Sequence, residues 1–237
     1  MRYPLQMAMA RSLAVAGVVL GLLTGSVSSQ ENSSVALAFS GDFLGLQSVP
    51  GTEQVWFAVN HTQTGMALTE TRIEVTRVPN ACSGTATRIS ATDVGEPLFL
   101  VRGSAAFRSG PLDSVFDGHR FIYPAEGFSL RLESGAWFGF QAYGSAVPAV
   151  GGVRITDYEI RIYKGTRTQT LAVFPQVDWD GPPQLIWAGD LDRDGALDAL
   201  LDLRTHYVGH HYVLFLSSDT RDEQLVRTVA EFSVGGC

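Results

Sequence analysis

Residues 184–203 read Gln184-Leu185-Ile186-Trp187-Ala188-Gly189-Asp190-Leu191-Asp192-Arg193-Asp194-Gly195-Ala196-Leu197-Asp198-Ala199-Leu200-Leu201-Asp202-Leu203. Two apolar runs, Leu185 to Ala188 and Leu197 to Leu203, flank an acidic loop. Each run is too short for an ordinary helix, and the turn residues around them favour strand–loop–strand. Asp190, Asp192, Asp194 and Asp198 occupy positions 1, 3, 5 and 9 of a DxDxDGxxD pattern, with Gly195 at position 6. Four carboxylates so close together repel one another, so a folded loop that gathers them calls for a cation. Calcium suits them: it is hard, takes six to eight oxygens, and tolerates irregular geometry. Gly195 permits the sharp turn that lets the Ala196 carbonyl join the shell.

A helix–loop–helix hand needs a bidentate glutamate at position 12, which here is Leu201. The acidic loop between two strands instead resembles the calcium-binding element of the FG-GAP and VCBS repeats found in integrin-type propellers and in many exported bacterial proteins. The resemblance covers residues 184–203 only. It implies calcium held by Asp190, Asp192, Asp194, Asp198 and the Ala196 carbonyl. A family propeller needs several copies and the sequence holds one, with no fixed-period repeat, so a complete propeller is not expected. Asp178-Trp179-Asp180-Gly181 looks like a fragment of a second loop, but its Asp-Gly and the Pro182-Pro183 after it read as a turn.

The rest of the chain matches an all-β reading. Of its 237 residues 45% are hydrophobic and 17% charged, with 25 Gly and 10 Pro, which excludes disorder and supports a turn-rich chain with a sizeable core. Strands are expected at Val35–Phe39, Gln54–Val59, Thr71–Val78, Pro97–Arg102, Phe128–Leu132, Trp137–Ala142, Asp157–Tyr163, Thr168–Phe174 and Tyr212–Leu216. In the tail, Leu225, Val226, Val229 and Phe232 fit a helical stripe, but the β context favours a strand. The expected architecture is antiparallel and sandwich-like, in one or two units. Residues 144–152 are small, uncharged and bracketed by glycine. They serve either as a linker between β units at 30–143 and 153–237 or as a long hairpin loop within one sandwich.

Residues 1–29 read as a signal peptide: Arg2 and Arg11 precede the apolar run Leu13 to Leu23, and Val27-Ser28-Ser29 offers a cleavage site. That run is too short to cross a bilayer, so a secreted or periplasmic protein without a membrane span is expected. Cleavage would remove two of the 17 basic residues and none of the 24 acidic ones, leaving a net charge of about −9 and disfavouring nucleic acid as a partner. In an oxidising compartment Cys82 and Cys237, the two cysteines, would form one disulfide.

No GxSxG, HExxH, GxGxxG or Walker pattern occurs. His210 and His211 would point to opposite faces of a strand and so could not easily share one ion. Glu126 and Glu133 could serve a glycosidase only if folding set them at the right separation. Trp56, Trp137, Trp179 and Trp187 suit core packing or a sugar-stacking platform. The expectation is an exported β protein with structural calcium, a non-enzymatic binding or envelope module with an unknown protein or carbohydrate ligand. The alternative is a secreted carbohydrate-active hydrolase with dispersed acid and base.

Overall fold

The computed structural model describes residues 35–46, 49–150, 152–218, 220 and 223–235. The signal-peptide segment 1–29 and Cys237, hence the expected Cys82–Cys237 bridge, lie outside them. All regular structure among the described residues is strand, and none of them belongs to a helix long and apolar enough to cross a membrane. In chain order the strands are β1 (Ala36–Ala38), β2 (Gly41–Phe43), β3 (Trp56–Thr62), β4 (Gly65–Thr71), β5 (Ile73–Asn80), β6 (Gly84–Ala91), β7 (Phe99–Arg102), β8 (Gly110–Pro111) and β9 (Asp113–Phe121). They continue with β10 (Gly127–Arg131), β11 (Trp137–Ala149), β12 (Gly152–Lys164), β13 (Arg167–Asp178), β14 (Gln184–Asp190), β15 (Asp198–Asp202), β16 (His210–Leu216) and β17 (Arg227–Val234).

The central layer is the antiparallel sheet β17-β16-β15-β14-β9. One of its faces contributes Trp187, Leu200, Leu214 and Leu216 to a core shared with the sheet β1-β7-β3-β4-β8 and the small sheet β2-β6-β5. The other contributes Leu185, Ala199, Leu201, Val213 and Phe215 to a second core, closed by the sheet β10-β11-β12-β13. Strands covered on both faces need apolar residues at successive positions, not alternate ones. That explains the unbroken apolar runs that flank the acidic loop. All five residues of β15 are buried.

A bulge sets the phase of β14. Its register shifts between Leu185 and Trp187 against both neighbours: Ile186 is the extra residue against β15, whereas against β9 the extra residue lies on β9. Ile186 and Trp187 therefore both enter the first core, while Leu185 and Ala188 enter the second. Trp187 meets Phe99 edge-on, with ring centroids 5.7 Å apart.

Among the described residues the architecture is all-β and sandwich-like, with no closed barrel and no complete propeller. Strands β11 and β12 pair as a long hairpin from Gly139↔Tyr163 out to Ala149↔Gly152, and the described residues from Val35 onward fall in one compact unit. The tail runs as strand β17 against β16. Strands β2, β4, β6, β8 and β9 were not expected from the sequence.

Candidate metal centre

The acidic loop joins the last residue of β14, Asp190, to the first of β15, Asp198. Its two leucines anchor it at both sides: Leu191 is buried in the first core and Leu197 in the second. Between these plugs the backbone is forced to turn, and Arg193 (φ 63°) and Gly195 (φ 82°) take left-handed conformations. The turn is closed by aspartate side chains, as expected of residues that bond their own backbone. Asp190 accepts the N–H of Asp194 at 3.0 Å on Oδ1 and that of Gly195 at 2.9 Å on Oδ2. Asp194 Oδ1 accepts the N–H of Ala196 at 2.8 Å.

This geometry gathers Asp190, Asp192 and Asp194, each offering a carboxylate oxygen within 4.8 Å of the others. Oxygens on opposite sides of a calcium ion lie about 4.6 to 5.2 Å apart, so the cluster has the right scale for one cation. Asp192 is 7% exposed, and its Oδ1 has no hydrogen-bond partner among the described residues. Its Oδ2 accepts the hydroxyl of Ser218.

Asp198 stands apart from that group. It is fully buried, with Oδ2 accepting the N–H of Leu191 at 2.7 Å. Its Oδ1 accepts the Ser217 N–H at 2.8 Å and lies 3.0 Å from the Ser217 hydroxyl. That hydroxyl also lies 2.9 Å from Asp194 Oδ2. Asp198 thus ties both ends of the loop to the end of β16. Ala196 is held through its amide.

Burial raises the carboxyls of Asp190, Asp192 and Asp198 above the ordinary aspartate range. For Asp198 the shift is large, and the charge of Asp192 adds to it. Around Asp190 and Asp192 the charge of Asp194 works in the same direction. Buried, mutually repelling carboxylates are poorly tolerated as anions, and either protons or a cation relieve them. An orphaned buried oxygen in a cluster of this size is a fit for a hard cation.

Ser217 and Ser218 were not candidates in the sequence. Ser217 lies 19 residues from Asp198 and Ser218 lies 26 from Asp192, and only β15–β16 pairing brings them to the loop. The same holds at the other end of β15. Asp202, 1% exposed, lies 2.7 Å from His210 Nδ1 and 3.3 Å from Arg204 Nε, and accepts the His211 N–H at 3.1 Å. His211 Nε2 pairs instead with Glu231 at 3.0 Å, so the two histidines have separate partners. Glu126 and Glu133 flank opposite ends of β10, roughly 17 Å of strand apart and too far for a glycosidase pair. Trp56 and Trp187 are core residues, whereas Trp137 and Trp179 are exposed.

No family model, curated protein or solved structure matches this chain.

Proposed function

We propose that this chain is an exported, non-enzymatic binding or envelope module whose acidic loop holds a structural calcium ion. The observation that carries the metal reading is the buried Oδ1 of Asp192, without a hydrogen-bond partner among the described residues, in the cluster with Asp190 and Asp194. Asp190, Asp192 and Asp194 supply carboxylate oxygens, with the Ala196 carbonyl as a further ligand. Asp198 acts on the loop backbone and can turn an oxygen to the ion. The acidic spacing between two strands supports a single FG-GAP or VCBS-type element. The role is structural because the loop links the two central strands and its leucines reach both cores, so binding energy becomes folding energy. Export rests on the sequence of residues 1–29, and with it the Cys82–Cys237 bridge.

The test is the thermal midpoint of the exported chain in excess calcium and in chelator, with Asp192→Asn beside the wild type. At calcium a hundredfold above Kd, binding adds about 2.7 kcal/mol, a rise of roughly 5 to 10 °C for a chain of this size. The variant should show a clearly smaller rise. Equal midpoints in the wild type would overturn the structural role.

A hydrolase reading has one observation in its favour. The buried Asp202 fixes His210 beside a cavity of about 620 Å3 that Arg204, His206 and His211 also line. An aspartate on Nδ1 leaves Nε2 as a base. Hydrolysis of glycoside or ester substrates that is lost in His210→Gln would favour this second reading.

A further inference from the structure

Two of the four tryptophans are buried in the first core, but Trp179 is 42% exposed, and Tyr207 nearby is 67% exposed. Both line a cleft of about 310 Å3 that shares no residue with the acidic loop, together with Val153, Arg154, Asp178 and Asp180. Three segments build it: the β11–β12 hairpin, the β13–β14 turn and the β15–β16 loop.

These segments are stitched through their backbones. The Asp178 N–H donates to Thr205 O at 2.8 Å, and the Trp179 N–H to Val153 O at 3.3 Å. Gly181 lies so close to the backbone of His206 and Tyr207 that a Cβ there would collide with it. Trp179 is backed by Tyr123, with ring centroids 5.0 Å apart, and Tyr123 by Phe121 at 5.9 Å. The Trp179 wall is thus held in place before any ligand arrives, which lowers the entropy cost of binding.

The polar groups are equally specific. Arg154 Nε lies 3.4 Å from Asp178 Oδ1, with both side chains about 40% exposed. Asp180 adds a second carboxylate. A guanidinium and carboxylates beside exposed rings offer donors and acceptors at the edge of an apolar wall. A pyranose ring has this same division, with C–H groups on its faces and hydroxyls around its rim. Two carboxylates against one arginine repel phosphates and so disfavour nucleotides. A cleft at the small end of the ligand-pocket range suits one or two sugar rings better than an extended proline-rich peptide, which needs a long aromatic groove.

We propose that this cleft binds a neutral saccharide, one ring stacking on Trp179 or Tyr207 while its hydroxyls bond Arg154, Asp178 and Asp180. The proposal goes beyond the calcium reading and uses none of the residues of the acidic loop.

The experiment presents the calcium-loaded exported chain to an array of neutral mono- to tetrasaccharides of gluco-, galacto-, manno- and N-acetylhexosamine configuration, followed by calorimetry on those retained. A polyproline peptide serves as the competing probe. At least one saccharide is expected to bind, quench Trp179 fluorescence, and lose about tenfold or more in affinity in Trp179→Ala and in Tyr207→Ala, with the thermal midpoints of both variants unchanged. Asp178→Asn should weaken binding by a smaller factor without loss of the fluorescence change. Absence of binding across the array, binding indifferent to both aromatic replacements, or capture of polyproline in place of sugars would overturn the assignment. Repeating the titration in chelator separates the two readings. A protein that shows no calcium-dependent midpoint yet keeps Trp179-dependent sugar binding would lose the calcium site and retain the cleft.

Discussion

Asp198 and Ser217 are joined twice: the aspartate Oδ1 accepts the serine N–H at 2.8 Å and lies 3.0 Å from its hydroxyl, inside a region with no solvent exposure at Asp198. The last aspartate of the acidic loop is therefore bonded to the end of β16, the strand beyond its own. Through Leu191, whose N–H it accepts at 2.7 Å, it also fixes where the loop leaves β14.

Replacing that carboxylate by an amide sets an NH2 group against one of two backbone donors. In excess calcium, Asp198→Asn is expected to cost about 1 to 3 kcal/mol, the penalty of an unsatisfied buried donor. Urea unfolding measures it. An unchanged midpoint would mean that the clasp contributes nothing to stability.

Acidity should affect the metal-free and calcium-loaded forms in opposite ways. The carboxyls of Asp190, Asp192 and Asp198 lie above their ordinary value in the fold, so without calcium the folded chain binds more protons than the unfolded one. That contribution is complete below about pH 4 and lost as pH rises through the raised values. In chelator the thermal midpoint should therefore fall as the pH is raised above about 5. With calcium it should hold or rise, because protons compete with the ion. The lowered carboxyls of Asp42 and Glu159 act only at more acid pH, so they do not mask the effect. Midpoints in both buffers that rise together with pH would contradict this account.

Leu200 and Leu201 are neighbours in the chain, but each sits in a different core. Leu200→Ala and Leu201→Ala should each cost about 2 to 5 kcal/mol. Since the two side chains share no core, the double variant should come close to the sum of the singles. Chemical denaturation of the four proteins checks this, and a double variant no worse than either single would mean that one face of β15 contributes little to stability.

Two glycines, one just before the acidic loop and one within it, should fail for different reasons. Gly195 has open space where a methyl group would sit but a left-handed φ of 82°, so Gly195→Ala should cost about 1 to 2 kcal/mol through backbone strain alone. Gly189 lies outside the left-handed region, but a Cβ there would meet the Asp113 carbonyl and the Trp187 ring. Gly189→Ala must push β9 from β14, and its loss should exceed that of Gly195→Ala in the same unfolding experiment. The reverse order would sink the distinction.

What the sequence determined by itself is local. The acidic spacing, the glycine at position 6 and the apolar runs on either side specify strand–loop–strand and a cluster of carboxylates, because they depend on contacts within a few residues. Ala199-Leu200-Leu201 is apolar at three successive positions where a half-buried strand would alternate, which double burial of the central sheet accounts for. Tertiary structure decided the rest. It gave Asp198 backbone donors from Leu191 and Ser217. It brought Ser217 and Ser218 to the loop, buried Trp56 and Trp187 while exposing Trp179, and set Tyr207 and Trp179 in one cleft. Those outcomes depend on which strands pair and in what register, and such long-range contacts leave no periodic signature in the residues that make them.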